Sequence, residues 1–61
     1  MRKEMDTLKI GNYHSARFNN ELMRFQIVLN KPQRYYAVLH GHDNKGYFYI
    51  SKDNLGVAHK L

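Results

Sequence analysis

The chain has no cysteine, a single proline (Pro32) and only five carboxylate side chains in 61 residues. Without cysteine there are no disulfide staples and no thiolate metal sites, and nothing marks an oxidising compartment. A cytoplasmic location is the simpler expectation. No apolar run is long enough for a signal peptide or a membrane span, and the first seven residues, Met1 to Thr7, are charged and mixed, so they read as a flexible arm on one small domain covering 1–61. No membrane association is expected, because the basic residues are not gathered on an amphipathic helix. A glycine-rich phosphate loop, an internal repeat and a low-complexity tract are also lacking. A chain this short buries only about 60% of its extended surface, so its core is marginal unless the fold closes on itself or docks on a partner.

What the sequence does have is punctuation. Asn19-Asn20, Lys31-Pro32-Gln33, His42-Asp43-Asn44-Lys45-Gly46 and Lys52-Asp53-Asn54 break it at intervals of about a dozen residues. The segments between them are rich in β-branched and aromatic residues. This predicts a mainly β domain, a small antiparallel meander of about five strands, closed as a barrel or packed as a sheet dimer. A helix over about 15–29 is the competing assignment, giving an α+β fold, because Phe18, Leu22, Phe25 and Leu29 also fall at helical spacing. That helix would strand Met23 and Ile27 on its polar side. As a strand, Met23, Phe25, Ile27 and Leu29 alternate with Arg24, Gln26 and Val28, and Asn19-Asn20 becomes a two-residue hairpin turn.

Pairing the strands through the shortest loops sets His14 opposite Phe25 and Ala16 opposite Met23. Loops at 30–33 and 41–45 set Ile27 opposite Tyr36, Val38 opposite Phe48 and Tyr36 opposite Ile50, and a turn at 52–54 sets Phe48 opposite Ala58. In that register the core face holds Leu8, Ile10, Ala16, Met23, Phe25, Ile27, Leu29, Tyr36, Val38, Phe48, Ile50 and Ala58. The other face collects Lys9, Tyr13, Arg17, Arg24, Gln26, Val28, Tyr35, Ala37, Leu39, Tyr47, Tyr49 and Val57.

Ten Lys and Arg against five Asp and Glu leave a formal net charge of +5. From Leu22 onward the acids are Asp43 and Asp53, both inside turn signals, so the later strands are acid-free. An anionic partner fits this balance: nucleic acid, single-stranded by preference, or an acidic protein. Tyrosines interleaved with cations are the composition that stacks bases and meets phosphates. The candidate nucleic-acid contacts are Lys9, Tyr13, Arg17, Arg24, Tyr35, Lys45, Tyr47 and Tyr49. The same residue types also serve cross-strand packing in a thin sheet, or hot spots of a protein interface, so a protein-interaction module or inhibitor is the alternative.

Within this region, Asp43-Asn44-Lys45-Gly46-Tyr47-Phe48-Tyr49-Ile50-Ser51 resembles the nucleic-acid-binding strand of cold-shock domains, a Lys-Gly-aromatic-Gly-Phe-Ile run. The resemblance covers about nine residues and departs at Phe48, where that family has a second glycine. It implies Lys45, Tyr47 and Tyr49 as contact residues.

Four histidines raise a metal reading around His40-Gly41-His42, with His14 or His59 as a third ligand, but no spacing specifies that third ligand. No metal and no cofactor are expected. A cofactor-independent ribonuclease, with His40 or His42 as base and Arg34 or Lys45 as charge stabiliser, is a minor alternative to a non-enzymatic binder, because no second acid/base partner is marked.

Overall fold

The computed structural model describes residues 8–40 and 46–61. Five strands, β1 (Tyr13–Phe18), β2 (Glu21–Asn30), β3 (Arg34–Leu39), β4 (Tyr47–Ser51) and β5 (His59–Lys60), form one antiparallel sheet in sequence order. No helix occurs among the described residues, so the segment 15–29 is the β1–β2 hairpin rather than a helix. The arm 1–7 and the loop 41–45 lie outside the described residues.

The β1–β2 hairpin has the expected register, with His14 opposite Phe25 and Ala16 opposite Met23. Its turn residues Asn19 and Asn20 sit at φ 55° and 63°. Two left-handed residues in succession make the turn whose twist matches paired strands, and asparagine tolerates that conformation better than most residues. Asn20→Gly removes the remaining Cβ strain. Asn-Gly is the pair this turn favours, so the strain relief is expected to outweigh the entropy that glycine adds to the unfolded chain, read as a raised melting temperature.

The β2–β3 pairing departs from expectation. Phe25 faces Leu39 and Ile27 faces Ala37, but Leu29 faces Tyr36, so Val28 is an extra residue in a β-bulge. The expected register had Ile27 opposite Tyr36. A one-residue slip turns every side chain of a strand to the opposite face. Tyr35, Ala37 and Leu39 therefore point inward and Tyr36 and Val38 outward, the reverse of the sequence assignment. Beyond the bulge Leu29 turns outward too and is 46% exposed, and Ile10 lies in an exposed turn rather than the core. The β3–β4 pairing carries the slip onward: Ala37, not Val38, faces Phe48, and Tyr35 faces Ile50. On the last hairpin Phe48 faces Lys60 in place of Ala58.

Packing supplies the reason for this register. The core comprises Ala16, Phe25, Ile27, Tyr35, Ala37, Phe48, Ile50 and Ala58. Phe48 meets Phe18 and Phe25 edge-on, with ring centroids 5.0 and 5.1 Å apart. Three alanines leave room for these rings, whereas Val38 in place of Ala37 would crowd Ile27 and Phe48. Tyr35 fills the remaining space with its hydroxyl at 3.2 Å from the Leu8 N–H, which donates to it. A buried phenol is satisfied in this way.

The sheet curls into a half-barrel and the chain closes it. Arg17 N–H donates to the Gly56 carbonyl at 2.8 Å and Ala58 N–H to the Arg17 carbonyl at 2.9 Å, a parallel bridge of Arg17 to Val57. His14 Nε2 adds a 2.6 Å hydrogen bond to the Leu55 carbonyl. The segment just before β5 thus reaches back to β1 and covers the apolar face. A barrel-like curl within one chain is the first of the two expected closures.

Candidate functional site on the outer face

Curling buries one face of each strand and presents the other on a convex surface. One row across that surface runs Tyr13, Gln26, Val38 and Tyr47 on β1 to β4, in directly opposed positions. A second row runs Leu29, Tyr36, Tyr49 and His59 on β2 to β5. Between these rows Val28, Leu29, Tyr36, Val38, Tyr47 and Leu61 line an apolar trough of about 580 Å³. The bulge makes the trough, because it turns two successive apolar residues, Val28 and Leu29, to the same surface.

A cation–aromatic–imidazole cluster stands at either side. In one, Arg24 lies over the Tyr13 ring at 5.6 Å and His40 meets that ring edge-on at 4.9 Å. In the other, Arg34 of β3 lies over the Tyr49 ring at 4.1 Å while His59 of β5 stacks on it at 4.8 Å and 24°. Neither Arg24 nor Arg34 makes an ion pair or side-chain hydrogen bond among the described residues. The described carboxylates lie at the edges: Glu21 opens β2 and Asp53 follows β4.

The structure divides the sequence candidates. Tyr13, Arg17, Arg24, Tyr47 and Tyr49 lie on the outer face, and Lys9 is exposed in the turn leading into β1. Tyr35 does not belong with them, because the bulge carries it into the core, where its exposure is 0%. Lys45 lies outside the described residues, as do Gly41, His42 and Asp43 of the histidine cluster. Tyr49 is on the expected face, but its neighbours on both flanking strands already cover its ring, so it offers an edge rather than a free plane. Tyr47 is 59% exposed and, like Tyr36, makes no ring contact among the described residues.

Sequence reasoning missed Tyr36, Val38 and Leu61 as outer-face residues and the pairing of Arg34 and His59 with Tyr49. One signal was available: in the dipeptide Tyr35-Tyr36, strand alternation puts one ring outward in either register. Alternation alone does not say which.

Among the described residues no group of three or more His, Asp or Glu is placed to hold a metal ion, and no helix is long and apolar enough to cross a membrane. No protein-family model, no curated protein and no solved structure matches this chain. The class that fold and site define is therefore a small curled β-meander with an aromatic, basic outer face.

Proposed function

We propose that this domain binds single-stranded nucleic acid on its outer face. One observation carries the reading: the half-buried ring of Tyr36 and the exposed ring of Tyr47 share an acid-free strand surface with two arginines that have no carboxylate partner among the described residues. Bases would stack on Tyr36 and Tyr47, and Arg17, Arg24 and Arg34 would meet phosphates, with Lys9 at the edge. Tyr13 and Tyr49 would hold arginines in place and contribute their edges. Each guanidinium on a ring keeps its N–H edge for a phosphate while its plane is engaged, a geometry lysine does not share.

The test is an anisotropy titration of labelled single-stranded RNA, single-stranded DNA and duplex DNA at two salt concentrations. Micromolar or tighter binding with a single-strand preference and a steep loss with salt is expected. Tyr47→Ala is expected to weaken it by roughly fivefold to a hundredfold, the equivalent of about 1–3 kcal/mol for one lost stack. Absence of binding to all three at low salt would retire the reading.

The aliphatic share of the trough, Val28, Leu29, Val38 and Leu61, favours a second reading as a protein-interaction module for an acidic partner. Such a partner would stay bound through high salt at fixed stoichiometry, which a polyanion held by charge would not.

A further inference from the structure

Cations are unevenly placed around the trough. Tyr36 lines the trough and also walls an adjoining depression of about 420 Å³ with Lys31, Pro32, Gln33 and Arg34. The two hollows share the Tyr36 side chain as a wall. Arg34 borders a further depression on its other side, of about 370 Å³, where Ser51, Lys52 and Asp53 form the opposite wall. That side carries the Asp53 carboxylate, whereas the lining on the Tyr36 side has two cations and no acid.

The geometry of the β2–β3 loop suits an anion. Lys31 N–H donates to the Arg34 carbonyl at 3.0 Å, so the two residues face each other across a short turn that Pro32 stiffens. Arg34 is half-buried, with its guanidinium over Tyr49 at 4.1 Å and no hydrogen bond from its side chain among the described residues. The Lys31 side chain makes none there either. A half-buried guanidinium held by a ring, with its donors unspent, is pre-organised for a phosphate. Arg24, over Tyr13 at 5.6 Å, lines neither the trough nor the depression at Tyr36, whereas Lys31 and Arg34 line the latter.

We propose that Lys31 and Arg34 form a phosphate subsite at the Tyr36 end of the trough. A single strand then places a base on Tyr36 and the adjoining phosphate on the β2–β3 loop. This rests on the nucleic-acid reading above and adds a location to it.

The experiment measures binding of a short labelled oligodeoxythymidylate by the full chain across a salt series. The proteins compared are the parent, Lys31→Gln/Arg34→Gln, Arg34→Lys and Arg17→Gln/Arg24→Gln, each first checked for an unchanged melting temperature. Each phosphate contact on a single strand contributes about 0.7 to the slope of log K against log salt, so losing two should flatten it by about 1.4. The expected result is that flattening in Lys31→Gln/Arg34→Gln and a parent-like slope with weaker binding in Arg34→Lys; Arg17→Gln/Arg24→Gln, which removes two of the outer-face phosphate contacts proposed above, flattens it too. If the parent binds but Lys31→Gln/Arg34→Gln keeps its slope, the subsite is overturned and the broader reading stands. If the parent does not bind the oligonucleotide at low salt, both fall.

Discussion

Tyr35→Ala is expected to leave the chain largely unfolded at room temperature, while Tyr36→Ala, one residue further on, stays folded. Tyr35 is fully buried and its hydroxyl accepts the Leu8 N–H. Truncating a buried aromatic costs about 3–5 kcal/mol, and little of the hole can collapse where β3 is hydrogen-bonded on both sides. A domain of 61 residues has roughly 3–9 kcal/mol in all, at about 0.05–0.15 per residue. The loss is therefore comparable to the whole. Tyr36 is half-buried and gives up only its cross-strand pairings with Leu29 and Tyr49, each worth roughly 0.2–1 kcal/mol. Its melting temperature should fall by no more than about 16 °C, at roughly 4–8 °C per kcal/mol. Thermal melts followed by circular dichroism read both. The opposite ranking would mean that β3 presents its other face and that the bulge at Val28 is absent, which would dismantle the trough as well.

The adjacent pair on β4 gives a second large contrast, this time between stability and binding. Phe48→Ala removes a fully buried ring packed edge-on against Phe18 and Phe25. The cavity costs about 3–5 kcal/mol, and each lost aromatic pair adds about 0.5–1.5 kcal/mol. The variant should be unfolded or close to it in a denaturant titration. Tyr47 is 59% exposed, and its truncation should leave the denaturation midpoint within about 0.5 kcal/mol of the parent. The binding loss foreseen for Tyr47→Ala then reports on contact rather than on folding. A folded Phe48→Ala with parent-like stability would show that the core does not centre on this ring.

Much of the architecture was legible before any coordinates. The breaks at Asn19-Asn20 and Lys31-Pro32-Gln33 fall between strands, and the alternation through Met23, Phe25 and Ile27 identifies both the strand and its buried face. Turn chemistry is a property of two or three residues, and alternation is a property of the pleat, so both are written locally. For β1, β2 as far as Ile27, and β4, the expected inner and outer faces are the ones observed.

The face of β3 was not legible in this way. Its six residues, Arg-Tyr-Tyr-Ala-Val-Leu, have apolar or aromatic side chains at five successive positions, so no period within the strand chooses between the two registers. The choice is made where β3 meets β2 and β4. One extra residue at Val28 brings small Ala37 against Ile27 and Phe48 and lets the Tyr35 hydroxyl reach the Leu8 N–H. That single slip removed Tyr35 from the candidate site, added Tyr36 and opened the trough. The sequence alone determined an acid-poor, five-stranded meander with tyrosines and cations between its turns, because local preferences encode strands and breaks. Only the tertiary structure decided which tyrosines are exposed, that Arg34 and His59 bracket Tyr49, and that the segment before β5 closes the curl on β1. Those outcomes depend on packing between residues distant in sequence, where volume and hydrogen-bond satisfaction select the register.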